Sequence, residues 1–355
     1  MFKDSYKVIG VMSGTSLDGI DLAHITFSIK DNNWHFQIHE TETIAYSINW
    51  LNKLKAAVDF STEQLEELNT SYTNHLGTVI KNFIKKYQLT KLDAVCSHGH
   101  TILHQPQNGF TLQIGNLPEI ASIIGQLVVC DFRVQDVQLG GQGAPLVPIG
   151  DRILFSQYDY CLNLGGFSNV SFEATGKRIA FDISPVNTVL NFYANKLGLA
   201  YDDKGKIAKS GSLNAELLNE LNALEYYKKP FPKSLGFEFV KEIVLPLIEN
   251  YSISIESKMH TFTEHVAYQT YKALPQRTGT VLVTGGGTYN DFLIERMQFH
   301  LPQLEIIIPD AKTLEFKEAV IFALLGVLKL RKEINVLSSV TGAEKDHSSG
   351  MIYTF

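Results

Sequence analysis

The sequence predicts an α/β protein of two similar halves facing each other across a cleft, and three observations carry that expectation. At 355 residues the chain exceeds the length at which a single core usually keeps growing. Strand-like patterning stops near Val134 and starts afresh near Tyr158, each time as three short strands whose first ends in a glycine-bearing turn. Such turns follow apolar strands at Ser13 to Gly19, at Gly165-Gly166 and at Gly285 to Gly287.

The first strand is Val8, Ile9, Val11 and Met12, and it runs straight into Ser13, Gly14, Thr15 and Ser16, with Asp18 and Asp21 close behind. Bare backbone and hydroxyls there suit a turn that approaches phosphate. Gly14 admits conformations closed to residues with a Cβ, successive N–H groups make an anion-binding concavity, and nearby carboxylates suit a Mg²⁺ ion shared with phosphate oxygens. The same composition also makes an ordinary hairpin turn, and the lysine of a P-loop is missing. Ala23, Ile25, Phe27 and Ile29, then Trp34, Phe36 and Ile38, alternate with polar neighbours and complete a three-stranded antiparallel meander. Ser61, three residues before Gln64, forms a capping box. Leu65, Leu68, Tyr72, Leu76, Val79, Phe83 and Tyr87 follow at helical spacing as a long helix covering the sheet. Leu92 to Ser97 and Leu127 to Asp131 read as buried parallel strands, with a helix near Glu119 to Gly125 between them.

The stretch Val134 to Pro148, rich in Gly and Pro, reads as an interdomain crossing or a binding loop. Strands at Tyr158 to Leu164, Asn169 to Phe172 and Arg178 to Ile183 follow, the last ending at Asp182, and a helix starts near Pro185. Helical stretches near Ala215 to Leu224, Phe237 to Asn250 and Phe262 to Leu274 precede the strand Val281 to Thr284 and a helix from about Asn290. The last apolar helix, Glu315 to Leu330, carries Phe316, Val320, Ala323, Leu324, Val327 and Leu328, and the tail Val340 to Tyr353 is polar.

A net charge of −6 with no basic run argues against a nucleic-acid or anionic membrane surface, so the expected partner is a small molecule. No apolar run approaches the ~20 residues of a membrane span, and the opening MFKDSYK lacks a signal-peptide core; a cytoplasmic protein is expected. Cys96, Cys130 and Cys161 are odd in number and widely spaced, which suits reduced thiols. Self-association as a homodimer stays open. A nucleotide held between two halves needs one turn from each half around the phosphates and a third turn on which adenosine lies flat, and the three glycine turns supply that set.

The strings VIGVMSGTSLDGID, SHGHTILH, TLQIGN, DFRVQDVQLGGQGAPLVP, LNLGGFSN, PKSLG, VLVTGGG and NVLSSVTGA resemble, in order and over nearly the whole chain, the motifs of the anhydro-N-acetylmuramic acid kinase family. The resemblance implies two ribonuclease H-like, actin-like ATPase domains facing each other across a nucleotide cleft, residues 1–135 plus about 336–355 and residues 136–335. It implies ATP and Mg²⁺ as cofactors. The implied reaction is opening of 1,6-anhydro-N-acetylmuramic acid by water with phosphorylation of O6, a step of cell-wall recycling.

The nucleotide-binding residues so implied are Met12, Ser13, Gly14, Thr15, Ser16, Leu17, Asp18 and Gly19, then Gly165 and Gly166, then Gly285, Gly286 and Gly287. Water must attack the anomeric carbon, so a carboxylate is needed as general base, and the freed O6 must lie in line with the γ-phosphate. Asp182 matches the family's catalytic aspartate, although an Asp before Pro can equally be a turn or helix cap. Arg133 matches a family arginine suited to the sugar's lactyl carboxylate, or to an interdomain salt bridge. Glu318 is suited to sugar or water, or to favouring the N-terminus of its helix. His98 is placed with the substrate, and His98, His100 and His104 are read as an uncharged hydrogen-bonding lining in a strand-then-loop setting rather than as a metal site. Gly140, Gly141 and Gly143, with Gln142 and Pro145, are expected to shape the cleft wall.

The chain departs from the family pattern around the base, where Ile183, Ser184 and Val186 stand in a string that commonly reads FDTGPGN. It departs also at Asn116, Asn191, Lys204 and Phe237, and at His100, where Gln is usual. These departures leave two alternatives: a kinase for another amino sugar, and a non-catalytic ATP-binding regulatory protein.

Overall fold

The computed structural model describes residues 2–14 and 17–355. Among the described residues the strands are, in chain order, β1 (Ser5–Ser13), β2 (Ile20–Lys30), β3 (Asn33–Ile44), β4 (Ala94–Gln105), β5 (Phe110–Ile114), β6 (Val128–Cys130), β7 (Tyr160–Leu164), β8 (Phe167–Ala174), β9 (Lys177–Pro185), β10 (Gly279–Thr284), β11 (Leu304–Ile307) and β12 (Met351–Tyr353). The chain forms two compact units: one runs to Phe155 and resumes at Phe316, the other is Ser156–Glu315.

The first unit's sheet has the order β12-β6-β4-β1-β2-β3, with β5 paired to β4, and the second has the order β11-β10-β7-β8-β9. In each, three antiparallel strands are extended by two strands parallel to the first. The run β3-β2-β1-β4-β6 and the run β9-β8-β7-β10-β11 therefore repeat one topology, the ribonuclease H-like order expected of both halves.

Alternation along β1 sorts its side chains. Ile9 and Val11 join Leu22, Leu68, Tyr72, Leu76, Ile80 and Phe83 in one buried cluster, under the helix Thr62–Lys86. That helix starts as its sequence predicts: Gln64 N–H donates to Ser61 Oγ (3.3 Å) and Ser61 N–H donates to Gln64 Oε1 (2.9 Å). On the other face of β1, Gly10 meets the helix Ala311–Leu330, where a Cβ would lie 2.0 Å from the Ala319 carbonyl oxygen. Gly326 of the same helix leaves a Cβ only 2.2 Å from Cys96 Sγ on β4, and a Cβ on Gly150 of the helix Val147–Leu154 would lie 2.6 Å from Ile321 Cγ1. A buried ion pair, Lys317 Nζ to Asp151 Oδ1 at 2.7 Å, joins those two helices.

The contacts of Gly10, Gly326 and Gly150 bind most of the last helix to the first unit, so the division falls at 155/156 and 315/316. The sequence reading places it at 135/136 and about 335/336. Val134 to Pro148 forms parts of two short helices, Val134–Gln138 and Val147–Leu154, within the first unit. β4 also runs further than its apolar core, through His104 to Gln105, because it turns at Pro106–Asn108 and pairs back with β5. The imidazoles at 98, 100 and 104 thus lie along a strand rather than in a loop.

The second unit buries Leu162, Val281 and Val283 of its sheet against Met259, Phe262 and Val266 of the helix Ile255–Ala273. No helix among the described residues is long and apolar enough to cross a membrane.

Because Gly10 has the Ala319 carbonyl where its side chain would be, Gly10→Val should lower the unfolding free energy in urea by about 3 kcal/mol, the upper end of what overpacking usually costs. A variant within experimental error of the parent would remove the close approach as a determinant of the fold.

Candidate active site

The turn between β1 and β2 retains the expected composition, but one hydroxyl is used elsewhere. Thr15 and Ser16 lie outside the described residues. Leu17 N–H donates to Gly14 O at 3.2 Å with Leu17 at φ +62°, Met12 and Gly19 are buried, and Asp18 is exposed. Ser13 is buried, and its Oγ is hydrogen bonded to Tyr46 OH (2.6 Å) and to His100 Nδ1 (2.8 Å), with Tyr46 bonded onward to Tyr72. That hydroxyl therefore ties the turn to the interior, and burial lowers the His100 pKa to about 4, which keeps the imidazole neutral.

Between the pairs Val11–Ser97 and Ser13–His100, β4 holds one residue more than β1. The surplus lies at His98-Gly99. Gly99 has φ +73°, and a Cβ there would lie 2.5 Å from Ile114 O, so only glycine fits between the two histidines. His98 Nδ1–H donates to Gly99 O (3.0 Å) and its Nε2 accepts from Arg133 Nε (2.8 Å). Burial, with the Arg133 charge second, holds His98 well below the usual imidazole pKa, so it serves as a neutral acceptor.

Arg133 Nη1 donates to Gly143 O (2.6 Å), and the Phe322 ring lies 5.9 Å from the guanidinium and 4.6 Å from the His98 ring. Nη2 has no protein acceptor among the described residues. Burial lowers the Arg133 pKa to about 10 while the charges of Glu318 and Asp136 hold it up, so the group is a cation at neutral pH. Glu318 is exposed at its surface, yet the protein around it raises its carboxyl above the usual range, against the pull of Arg133 and Lys317. The structure thus brings Arg133, His98 and Glu318 together in the first unit. His104 is hydrogen bonded to Thr111 Oγ1 (3.0 Å) and its ring faces the Gly143 turn, within electrostatic reach of Arg133.

The glycine-rich loop after Arg133 is held by a residue the sequence reading passed over. Asp136 is fully buried, and its carboxylate accepts from Gly143 N–H (2.6 Å) and from Thr341 Oγ1 (2.7 Å). Gln142 N–H donates to Thr341 O (2.8 Å). The motifs containing Asp136 and Thr341 are far apart in the chain and form one structural piece.

In the second unit two glycine turns meet at the carboxyl ends of parallel strands, where open α/β sheets bind ligands. Gly165-Gly166 joins β7 to β8, and Gly285–Gly287 follows β10, the parallel neighbour of β7. Gly285 has φ +87°, and a Cβ on it would lie 2.6 Å from Asn163 Oδ1; on Gly287 it would lie 2.8 Å from Leu164 Cβ. Packing dictates those two glycines. Gly286 differs, because the nearest atom to its Cβ would be Asn187 Nδ2 at 3.8 Å. Its bare backbone beside open space suits a ligand. Thr288 Oγ1, two residues on, is buried with no hydrogen-bond partner among the described residues, which also suits a polar group brought by a ligand. Gly205 of the Asp202-to-Gly205 segment packs on Asn290, the cap of the helix Asp291–His300, and so supports the same turn.

Asp182 lies inside β9 rather than at its end. Asn169 pairs with Asp182 while Ser168 pairs with Ser184, leaving Ile183 as the extra residue of a β-bulge, a device that re-aims side chains next to functional sites. Leu235 N–H donates to Asp182 Oδ2 (2.9 Å), Asp182 N–H donates to Lys233 O (3.1 Å), and Tyr226 OH donates to Asp182 O (2.5 Å). Burial raises the Asp182 carboxyl above the usual aspartate range and the Leu235 N–H draws it partly back. The carboxylate is thus fixed and more basic than a free aspartate, as a general base needs. Lys233, Leu235 and Tyr226 were not singled out from sequence, although PKSLG was the signal.

A family model described as anhydro-N-acetylmuramic acid kinase matches residues 6–355. The anhydro-N-acetylmuramic acid kinase of Pasteurella multocida is 35% identical to the chain, covering 97% of this chain and 96% of that protein. That of Sulfurimonas denitrificans is 32% identical, covering 97% and 98%. Among solved structures, component A of (R)-2-hydroxyglutaryl-CoA dehydratase from Acidaminococcus fermentans is similar with a TM-score of 0.46 and 13% identity, covering 92% of this chain and 100% of that one.

Since folding raises the Asp182 pKa above its unfolded value, the ionised carboxylate weakens the fold above the folded-state pKa, and the protonated carboxyl does not. Asp182→Asn should therefore resist urea better than the parent near pH 7. The difference should close as pH falls to about 4, the ordinary aspartate value. A variant less stable than the parent at neutral pH would contradict the assigned shift.

Proposed function

The chain belongs to the anhydro-N-acetylmuramic acid kinase family, and from that membership we propose that it uses ATP to turn 1,6-anhydro-N-acetylmuramic acid into N-acetylmuramic acid 6-phosphate in cell-wall recycling. The observation that carries the reading is the carboxylate of Asp182, oriented by Leu235 N–H and raised in pKa. It is suited to taking a proton from water as the water oxygen bonds to the anomeric carbon. The bond from that carbon to O6 breaks, and O6 takes the electron pair. O6 then bonds to the γ-phosphorus, and the bond from phosphorus to the ADP oxygen breaks.

Arg133, steadied by His98, Gly143 and Phe322, is assigned to the lactyl carboxylate, with Glu318 beside it for a sugar hydroxyl or water. Gly14 with its neighbours, Gly165-Gly166 and Gly285–Gly287 are assigned to ATP, and the unpartnered Thr288 hydroxyl and the open backbone at Gly286 support that assignment. Asp18, exposed beside the first turn, would hold Mg²⁺, which draws negative charge from the phosphates. A cytoplasmic location, where ATP is supplied, completes the proposal.

Three departures from the family string bear on the choice of sugar. Ile183, Ser184 and Val186 are all buried, with Ile183 and Val186 in the hydrophobic core and Ser184 N–H donating to Ser168 Oγ (3.2 Å). Substitution there repacks the interior behind Asp182, which supports retention of the anhydrosugar over a different acceptor.

The decisive assay couples ADP release to sugar consumption. The anhydrosugar should be turned over to a phosphorylated, hydrated product, and N-acetylmuramate should not replace it; equal rates with both would overturn the ring-opening step. Asp182→Asn should lower kcat by about 10²- to 10⁴-fold, the usual contribution of a general base, with KM for ATP unchanged. Gly286→Val should raise KM for ATP by about tenfold or more, a loss of ~1.4 kcal/mol, while the urea midpoint stays put. A shift in the midpoint with KM unaltered would assign Gly286 to packing instead.

A further inference from the structure

A cavity of about 390 Å³ opens in the second unit, lined by Asn222, Tyr227, Lys228, Lys233, Gln269 and Lys272 among others, with no carboxylate in its wall among the described residues. Its volume falls in the range of small-molecule sites, ~300–1,000 Å³. Of the three ammonium groups, Lys228 is paired at the surface with Glu225 (2.6 Å). Lys272 has no acidic partner among the described residues. Lys233 has none either: its Nζ reaches only the Tyr226 carbonyl (3.4 Å), over the Tyr226 ring at 4.6 Å. Burial and neighbouring Lys229 lower the Lys233 pKa, the state of a cation short of counter-charge.

The floor is a fixed set of hydrogen bonds. Gln269 Nε2 donates to Asn222 Oδ1 (2.8 Å), and His265 Nδ1–H donates to the same oxygen (2.7 Å). His265 Nε2 therefore accepts from Tyr227 OH (2.8 Å), and burial holds the imidazole neutral with its pKa at about 3. With Asn222 Oδ1 used twice, its amide N–H groups remain without an acceptor among the described residues. The lining thus offers ammonium and amide donors, and a phosphate monoester is an acceptor-only dianion that matches them. The cavity exceeds what a bare phosphate fills.

We propose that this pocket is a binding site for a small sugar phosphate, distinct from the glycine turns and from the Arg133 group, and that its occupant steadies Asp182. The link is covalent and short. Tyr227 and Lys233 belong to the same segment whose Tyr226 OH, Lys233 carbonyl and Leu235 N–H hold Asp182. A phosphate bridging Lys233 to Lys272 ties that segment to the helix Ile255–Ala273. Binding at the pocket does not depend on which sugar the chain phosphorylates; only the consequence for Asp182 rests on the proposed function.

The test is calorimetric titration of the full chain, presaturated with a nonhydrolysable ATP analogue so that the glycine turns are occupied. Glucose 6-phosphate should bind, glucose should not, and inorganic phosphate should bind more weakly than the ester. Lys272→Gln, an exposed change, should weaken the ester about tenfold or more, and Arg133→Met should leave its affinity unaltered. Amide hydrogen exchange in residues 226–235 should slow when the ester is added. No binding to the parent, equal affinity for glucose, inorganic phosphate binding as tightly as the ester, undiminished affinity in Lys272→Gln, or loss of binding in Arg133→Met would overturn the site. Binding without protection of residues 226–235 would overturn the link to Asp182.

Discussion

The first unit depends on how closely one helix can lie against its sheet. Gly10 on β1 and Gly326 on the helix Ala311–Leu330 lack the atoms that would hold the two apart, and the Ala319 carbonyl occupies the space a side chain would take. Close-packed interiors transmit such constraints over several residues. Phe322 is thereby set under the His98 ring and the Arg133 guanidinium, and Glu318, one helical turn earlier, falls within electrostatic reach of the same arginine. The grouping of Arg133, His98 and Glu318 in the first unit thus rests on close approach at two glycines, Gly10 against Ala319 and Gly326 against Cys96.

Most of the architecture was legible because it rests on local rules. The capping box at Ser61, the alternation in the first meander and the restart after Tyr158 each gave an element that the structure contains. What was not legible depended on long-range pairing. β5, β11 and β12 are short and have weak patterns of their own, and β12 exists because Met351 to Tyr353 can pair with β6. The helix Ile48–Ala56 has a good cap in Ser47 but buries only Leu54, so its hydrophobic stripe is faint.

The candidate site divides along the same line. Glycines at strand ends can be read from sequence, since close approach of backbones leaves a compositional mark, and Gly285 and Gly287 show that approach directly. The partners of a side chain cannot. Ser13 has the composition of a phosphate ligand and spends its hydroxyl on Tyr46 and His100; Asp136 has the look of an ordinary helix residue and holds two distant motifs together. Asp182 is placed on a strand from sequence, but the bulge at Ile183 and the Leu235 N–H that give it orientation and basicity appear only once β8 and the segment after Tyr226 are in position.

The first unit's interruption has a consequence for synthesis. Its sheet takes β12 as an edge strand and its second face is covered by the helix Ala311–Leu330, so the segment to Phe155 must wait for the segment from Phe316. The unit in between is continuous and holds its own core. As the polypeptide leaves the ribosome, the inserted unit is therefore the one that has all its native neighbours available earlier, and the flanking one has an unfinished face until the segment Phe316–Phe355 has emerged.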